Sequence, residues 1–314
     1  SYPLGQYANT DKASTDPCAV DANDPNLAYK FGTMANETVI AQTFNKDLAN
    51  EYGKICGNYS LWSNLTIFWG CGTNLHRTPY NARNHEYYSE DAVLTSGQAV
   101  AFISGGKEYG VIIAPKHLAF NDTEINRTGV SVFMTEQQAR ENELRGTQAS
   151  IEDAGALGIM TAFNRVGITA ANAHTGLLKN ILRGEWGFKG LESQDFIMNP
   201  NYAVLKEYAL NGGTMTTFTG ENTMAAVSEK FAYWTTENVG QDTELMGAIK
   251  QAMTWQAYAL ANSNALDGMA SSTRLVSVRT WYDNALVAVQ VVFAALTVLA
   301  AAMYVLNDRK SKKQ

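Results

Sequence analysis

The sequence predicts an α/β fold in which parallel strands alternate with helices and one hydrophobic helix closes the chain. Three observations carry this. Short β-type apolar runs at 65–69, 110–114, 157–163 and 190–196 are separated by segments of helical periodicity, the alternation that parallel pairing through right-handed crossovers requires. The polar residues suited to chemistry follow those strands rather than precede them, so a parallel barrel would gather them on one face. Residues 285–306 carry no charged side chain at all.

Composition narrows the function classes. A chain of 314 residues, 46% hydrophobic, is long enough for one large core of barrel size. A net charge of -6, with no basic cluster in the first 270 residues, argues against a nucleic-acid partner. Cys18, Cys56 and Cys71 form neither a CxxC pair nor zinc-ligand spacing, so buried free thiols are expected. His76, His85, His117 and His174 show no HxxxH pairing, so neither a metal nor another cofactor is expected.

In chain order, residues 1–37 are rich in Asn, Asp, Pro and Ser and read as loop or connector. Thr38 to Cys56 places Val39, Ile40, Phe44, Leu48, Tyr52 and Ile55 at helical spacing. The 65–69 strand follows, then a helix over Val93–Ile103 and a strand over Gly110–Ala114. Thr135 to Ala154 reads as a polar-faced helix before the strand at Leu157–Phe163, and Thr175 to Leu182 as a helix before the strand at 190–196. Pro200–Leu210 is helical, Thr214–Phe218 is a fifth strand candidate, and Asp242–Ala261 is a long amphipathic helix. Five strand candidates fall short of the eight of a closed (β/α)8 barrel.

The run Ala285–Leu306 is of membrane-spanning length, since about 20 residues at about 1.5 Å each cross the hydrocarbon core. Trp281, Tyr282 and Tyr304 sit where an interfacial aromatic belt would be. Arg309, Lys310, Lys312 and Lys313 then place the C-terminus in the cytoplasm by the positive-inside rule. The expected organisation is connector 1–37, barrel 38–270, linker 271–284, transmembrane helix 285–306 and basic cytoplasmic tail 307–314, with the barrel outside the cell.

The chemistry concentrates in four blocks. Leu182-Arg183-Gly184-Glu185-Trp186-Gly187-Phe188 leads through a Gly-bracketed turn into Leu191-Glu192-Ser193-Gln194-Asp195-Phe196. This delivers one carboxylate, Asp195, at a strand's C-terminal end, where it can serve as nucleophile or electrostatic stabiliser. The other three are Arg77-Thr78-Pro79 through Ala82-Arg83 to Glu86 and Ser89-Glu90-Asp91, then Lys116-His117-Leu118 with Glu124 and Arg127, and Met160-Thr161-Ala162-Phe163-Asn164. Singly, Arg83 and Arg127 read as salt-bridge partners of Glu86 or Asp122, and His117 as a core histidine; as a set they read as a site.

In order and spacing these blocks resemble glycoside hydrolase family 3, the β-glucosidase family, over roughly residues 38–270. The resemblance implies a TIM-like (β/α)8 barrel, incomplete in this chain unless weak strands lie in its first 70 residues or upstream. It implies a retaining, exo-acting β-glucosidase-like hydrolase cleaving terminal sugars from an oligosaccharide or β-glycoside, with Asp195 as nucleophile. Arg83, Lys116, His117 and Arg127 would bind the hydroxyls of the terminal sugar, and Met160 and Phe163 would line its apolar side. Two carboxyl groups and strong directional hydrogen bonds are what an oxocarbenium-like transition state needs.

Several positions depart from the family pattern. Its Ser-Asp-Trp is Gln194-Asp195-Phe196 here, its Tyr-Asn is Phe163-Asn164, its Gly-Arg is Ala82-Arg83, and Glu192 replaces an aliphatic in a buried strand. The family's early acidic residue has no match before residue 38, and no acid/base is identifiable. The resemblance implies that the acid/base comes from an α/β sandwich domain upstream of Ser1. The competing expectation is a catalytically silent, membrane-tethered carbohydrate-binding barrel.

Overall fold

The expected strands pair in parallel in the computed structural model, which describes residues 34–62, 65–127, 129–195, 205–216, 234–266 and 281–311. β1 (Ile67–Phe68) pairs with β2 (Ile112–Ile113), and β3 (Lys116–Leu118) pairs with β5 (Gly158–Thr161), which pairs with β8 (Leu191–Gln194). Single bridges extend the arc: Gly72 pairs with Lys116, and Ser193 with Met215. The chain therefore lays down parallel staves at 67–72, 112–118, 158–161, 191–194 and 215, each beside the one before it. Thr214–Phe218 contributes only the Met215 bridge among the described residues, which also form no closed eightfold ring.

β5 and β8 are buried throughout, as staves covered on both faces must be. The helices stand between the staves. Thr38–Cys56 is not one helix: α1 (Glu37–Ala41) ends before Phe44, which takes a φ of 53°, and α2 (Lys46–Trp62) restarts with Asn45 Oδ1 accepting from the Asp47 and Leu48 amides. An Asn at such a start satisfies the orphan amides of the first turn. α3 (Ala92–Lys107) is capped in the same way by Asp91, which accepts from the Leu94 amide. α2 and α3 approach so closely that a Cβ on Gly53 would strike the Phe102 carbonyl. Tyr52 meets Phe102 edge to face at 5.4 Å in the core they share with Cys56, Cys71 and Ile103. Each large side chain buried here stabilises the fold by about 1.5–3 kcal/mol.

Thr135–Ala154 forms a broken helix. Thr135 caps a short α4 (Glu136–Gln138), a π-turn covers Ala139–Glu143, and α5 (Arg145–Glu152) completes it. The Gly176–Glu185 helix is π-wound and buries Leu177, Leu178 and Leu182 against Ile159 and Leu118. A small sheet unforeseen in the sequence, β4 (Ser131–Val132), β6 (Arg165–Val166) and β7 (Thr169–Ala170), runs parallel between β4 and β6 and antiparallel between β6 and β7. Its strands are two residues long, too short for a period-2 pattern to register. α6 (Leu205–Leu210), α7 (Thr236–Gln241) and α8 (Thr243–Ala261) follow, with Asp242 capping α8. The part of Pro200–Leu210 before Leu205 lies outside the described residues, as does Cys18; Cys56 and Cys71 are buried and free.

The chain divides into two units, Ser1–Asp267 and Gly268–Gln314. In the second, α9 runs unbroken over Trp281–Ser311 and contains the whole run expected to span a membrane. Its described side chains, 284–300 with Ala302 and Met303, are all exposed. Among the described residues no helix is long and apolar enough to cross a membrane.

Candidate active site

Register and pleat decide which side chains share the site. Lys116 pairs with Met160 and Met160 with Ser193, so the three lie in one row across the sheet. Side chains alternate along a strand, so Asp195, two residues beyond Ser193, leaves β8 on the face of that row, whereas Glu192 and Gln194 point to the other. A register irregularity between Lys116 and Leu118 takes His117 out of the alternation. Asp195 is fixed by its amide donating to the Thr161 carbonyl at 3.2 Å.

Around this row the expected residues converge. His117 Nε2 lies 3.5 Å from Asp195 Oδ2 and 3.2 Å from an Arg83 guanidinium nitrogen. Guanidinium only donates, so Nε2 is the acceptor of that pair and Nδ1 carries the proton. That proton faces the Tyr87 hydroxyl oxygen at 3.3 Å, which also accepts from Asn121 Nδ2 at 2.9 Å. Burial holds the His117 pKa well below the ordinary imidazole value, and the charges of Arg83, Lys116 and Arg127 add to it. The imidazole is therefore neutral, and its contact with Asp195 is not an ion pair.

Two carboxylates missing from the expected site organise its cations. Glu86 takes a bidentate pair from Arg83, at 2.8 and 2.5 Å, and Lys116 Nζ at 3.0 Å. Burial alone would raise the Glu86 pKa, but the Arg83 hydrogen bonds and the Lys116 charge bring it down to about 2. Glu124 bridges Arg83 at 3.4 Å and Arg127 at 2.7 Å. Both were legible as carboxylates three residues from an arginine, at Arg83–Glu86 and Glu124–Arg127, the spacing of a local pair. Asp122 belongs elsewhere: it pairs with Arg77 at 3.0 Å, and Arg77 also meets Glu143 at 3.6 Å. Glu37 enters from α1, accepting from the Gly72 amide at 3.2 Å.

The apolar side is also in place. Met160 and Phe163 are buried, and the Arg127 guanidinium carbon sits 4.3 Å from the Phe163 ring centroid, a cation–π contact that a phenyl ring makes without a hydroxyl. Lys116 is 1% exposed and its pKa is lowered by burial against the pull of Glu86. Arg83 and Asp195 thus meet at His117, Lys116 joins Arg83 through Glu86, Arg127 joins Arg83 through Glu124, Phe163 packs on Arg127, and Met160 lies in the row of Lys116. Phe196 lies outside the described residues. Among those residues no group of three or more His, Cys, Asp or Glu side chains could hold a metal ion. What the arrangement offers is a carboxylate at a strand end and fixed donors suited to hydroxyl groups.

Known proteins share the sequence and the fold of this part of the chain. The family model for the glycosyl hydrolase family 3 N terminal domain matches residues 26–214, more than half of the chain. A probable beta-glucosidase J of Emericella nidulans is 35% identical over 159 residues, 51% of this chain and 19% of that protein. Beta-glucosidase BoGH3A of Bacteroides ovatus is 36% identical over 159 residues, 51% of this chain and 21% of that protein. The solved structure of beta-glucosidase 3B from Thermotoga neapolitana with glycerol superposes with a TM-score of 0.70 at 27% identity, covering 78% of this chain and 34% of that one. The chain thus spans about a fifth of the length of these curated relatives, and its α/β architecture is TIM-barrel-like. It belongs to glycosyl hydrolase family 3, whose N-terminal domain it carries over residues 26–214.

Proposed function

We propose that this chain is the barrel part of a retaining, exo-acting glycosidase of β-glucosidase type, with Asp195 as its nucleophile. The observation that carries the reading is Asp195 at the end of β8, beside a neutral His117 whose imidazole lies in the field of Arg83, Lys116 and Arg127. One relative of known structure was solved with glucose, which favours a hexose. In this reading Arg83, Lys116, His117 and Arg127 hold hydroxyls, and Met160 and Phe163 face the apolar side of the ring. Asp195 attacks the anomeric carbon, the glycosidic C–O bond breaks as the ester forms, and the leaving oxygen takes a proton from a separate acid. Water, deprotonated by the same group, then hydrolyses the ester with net retention.

Glu86 and Glu124 do not supply that proton. Glu86 is ionised between two cations, and Glu124 is paired with two arginines. We assign the acid/base to an α/β sandwich domain outside residues 38–270. The same two ion-paired carboxylates favour a second reading, a barrel that binds sugar without turning it over. We also propose, from the uncharged run 285–306 and the basic residues after it rather than from the helix as described, a single membrane span with the barrel outside the cell and residues 307–314 in the cytoplasm. The discriminating experiment is proton NMR of the first anomer released from an aryl β-glucoside by the full-length protein. β-Glucose appearing first supports the proposal, α-glucose first contradicts the covalent route, and binding without release leaves the silent barrel.

A further inference from the structure

A cavity of about 300 Å3, with Asp195 absent from its lining, lies between the Gly176–Glu185 helix, the turn after α6 and one face of α8. That volume is at the small end of the range for ligand sites, about 300–1,000 Å3. The α8 residues that line it, Glu244, Ala248, Gln251 and Trp255, are spaced four, three and four apart and so form one stripe. Lys179 and Arg183 face them from the other helix, one turn apart.

The aromatic ring is held in place. Arg183 Cζ lies 3.8 Å from the Trp255 ring centroid. Arg183 is itself fixed by donating to the carbonyls of Gly212 (2.7 and 3.1 Å), Phe188 (2.9 Å) and Gly190 (2.8 Å). Gly212 has a φ of 98°, and a Cβ there would crowd Arg183, so a glycine allows the turn to come this close. Trp255 nonetheless stays partly exposed. Opposite it, a Cβ on Gly247 would meet nothing within 4 Å, so the centre of the stripe is open.

We propose that this cavity is a second sugar-binding site, taking one pyranose unit of a β-linked glucan against Trp255, with Lys179, Glu244 and Gln251 as hydroxyl partners. A rigid aromatic supplies a platform for the C–H face of a pyranose, while amide, ammonium and carboxylate groups suit its rim of hydroxyls. Arg183 is engaged by backbone carbonyls, which leaves Lys179 and Glu244 as opposed charges on the rim, and such a rim disfavours a purely apolar ligand. The inference rests on reading the chain as a sugar-handling protein, but not on catalysis.

The test is affinity electrophoresis of the full chain through gels containing a soluble β-glucan, with thermal melts as the control for folding. Trp255→Ala and Gly247→Phe should each weaken retention about tenfold or more, the scale of one aromatic stacking contact with its buried area. Trp255→Phe, which keeps a ring, should retain most of it and guards against an unfolded Ala variant. A Lys116→Ala/Asp195→Ala double variant should be retained like the parent. Retention that survives Gly247→Phe, or that disappears only in the double variant, would place the sugar in the candidate active site and overturn the second site while sparing the glycosidase reading. A folded parent protein that the glucan does not retard would overturn the second site as well, and turnover of the aryl glucoside would then judge the other reading separately.

Discussion

His117 Nε2 lies 3.5 Å from Asp195 Oδ2, yet the imidazole is kept neutral by burial and by Arg83, Lys116 and Arg127. Near Asp195 it therefore acts as a polar neighbour of fixed tautomer rather than as a counter-ion or a proton source. Nitrogen-15 shifts of the His117 ring should stay at those of a neutral Nδ1–H imidazole from pH 8 down to pH 5. Protonation within that range would show that the Arg83 contact does not set the tautomer.

Glu86 joins Arg83 to Lys116 in a buried network. Removing its charge leaves two cations without their shared partner, and breaking a buried pair in this way costs about 3–5 kcal/mol. Glu86→Gln should therefore lower the melting temperature sharply. Lys116→Ala removes the other end and should act mainly on turnover, with kcat/KM for an aryl β-glucoside falling about 10²-fold or more. If Lys116→Ala instead unfolds the chain with kcat/KM per folded molecule unchanged, the lysine is structural.

Three buried carboxyls set a stability limit on the alkaline side, and one is Glu37, pushed up to about 8 by burial and by the charge of Glu86. Burial pushes Glu192 up to about 7, against the opposing effects of Tyr208 and Arg183. Burial likewise pushes Glu143 up to about 7, against the charge of Arg77. All three pKa values are raised above the ordinary 4.5. Their favourable contribution is therefore complete below pH 4.5 and is lost as pH rises to 7, or to about 8 for Glu37, by up to about 3 kcal/mol each for Glu192 and Glu143. Glu86, lowered to about 2, acts in the opposite sense and loses its contribution below pH 4.5. Melting temperatures should fall from pH 5 to pH 8, and Glu192→Gln should remove only about a third of that fall, because Glu143 and Glu37 carry the rest. An unchanged slope in Glu192→Gln would show that Glu192 is ionised at little cost in the folded state.

Much of this was legible in the residues because it follows from pattern alone. The staves announced themselves as short apolar runs, and the site residues as polar groups just after them. The helix start at Asp242 was legible, and there Asp242 accepts from the Leu245 amide. What escaped depended on distant partners. Lys116–Leu118 became a stave although its residues are Lys, His and Leu, because Glu86 neutralises Lys116 inside the barrel. The small β4–β6–β7 sheet is made of two-residue strands. Glu192 read as an awkward charge, and burial resolves the awkwardness by favouring its protonated form.

The membrane assignment of α9 has its own test. With the barrel outside and residues 307–314 inside, a tag after Gln314 should be protected from protease in intact cells, and a tag before Ser1 should be cut. Cleavage of the C-terminal tag from outside would reverse the topology. Release of the protein from membranes by high salt alone would argue that α9 does not span.

The most direct measurement of the central claim is covalent trapping at Asp195. A 2-fluoro-glucoside with an activated leaving group forms the glycosyl ester without needing the acid, because its leaving group departs unprotonated. The ester then hydrolyses slowly enough for mass spectrometry. The expected result is one added fluorosugar on the peptide that contains Asp195, absent from Asp195→Ala. Label on Glu86, Glu124 or Glu192 would move the nucleophile, and a folded full-length protein that binds glucoside but takes no label would contradict the covalent role of Asp195.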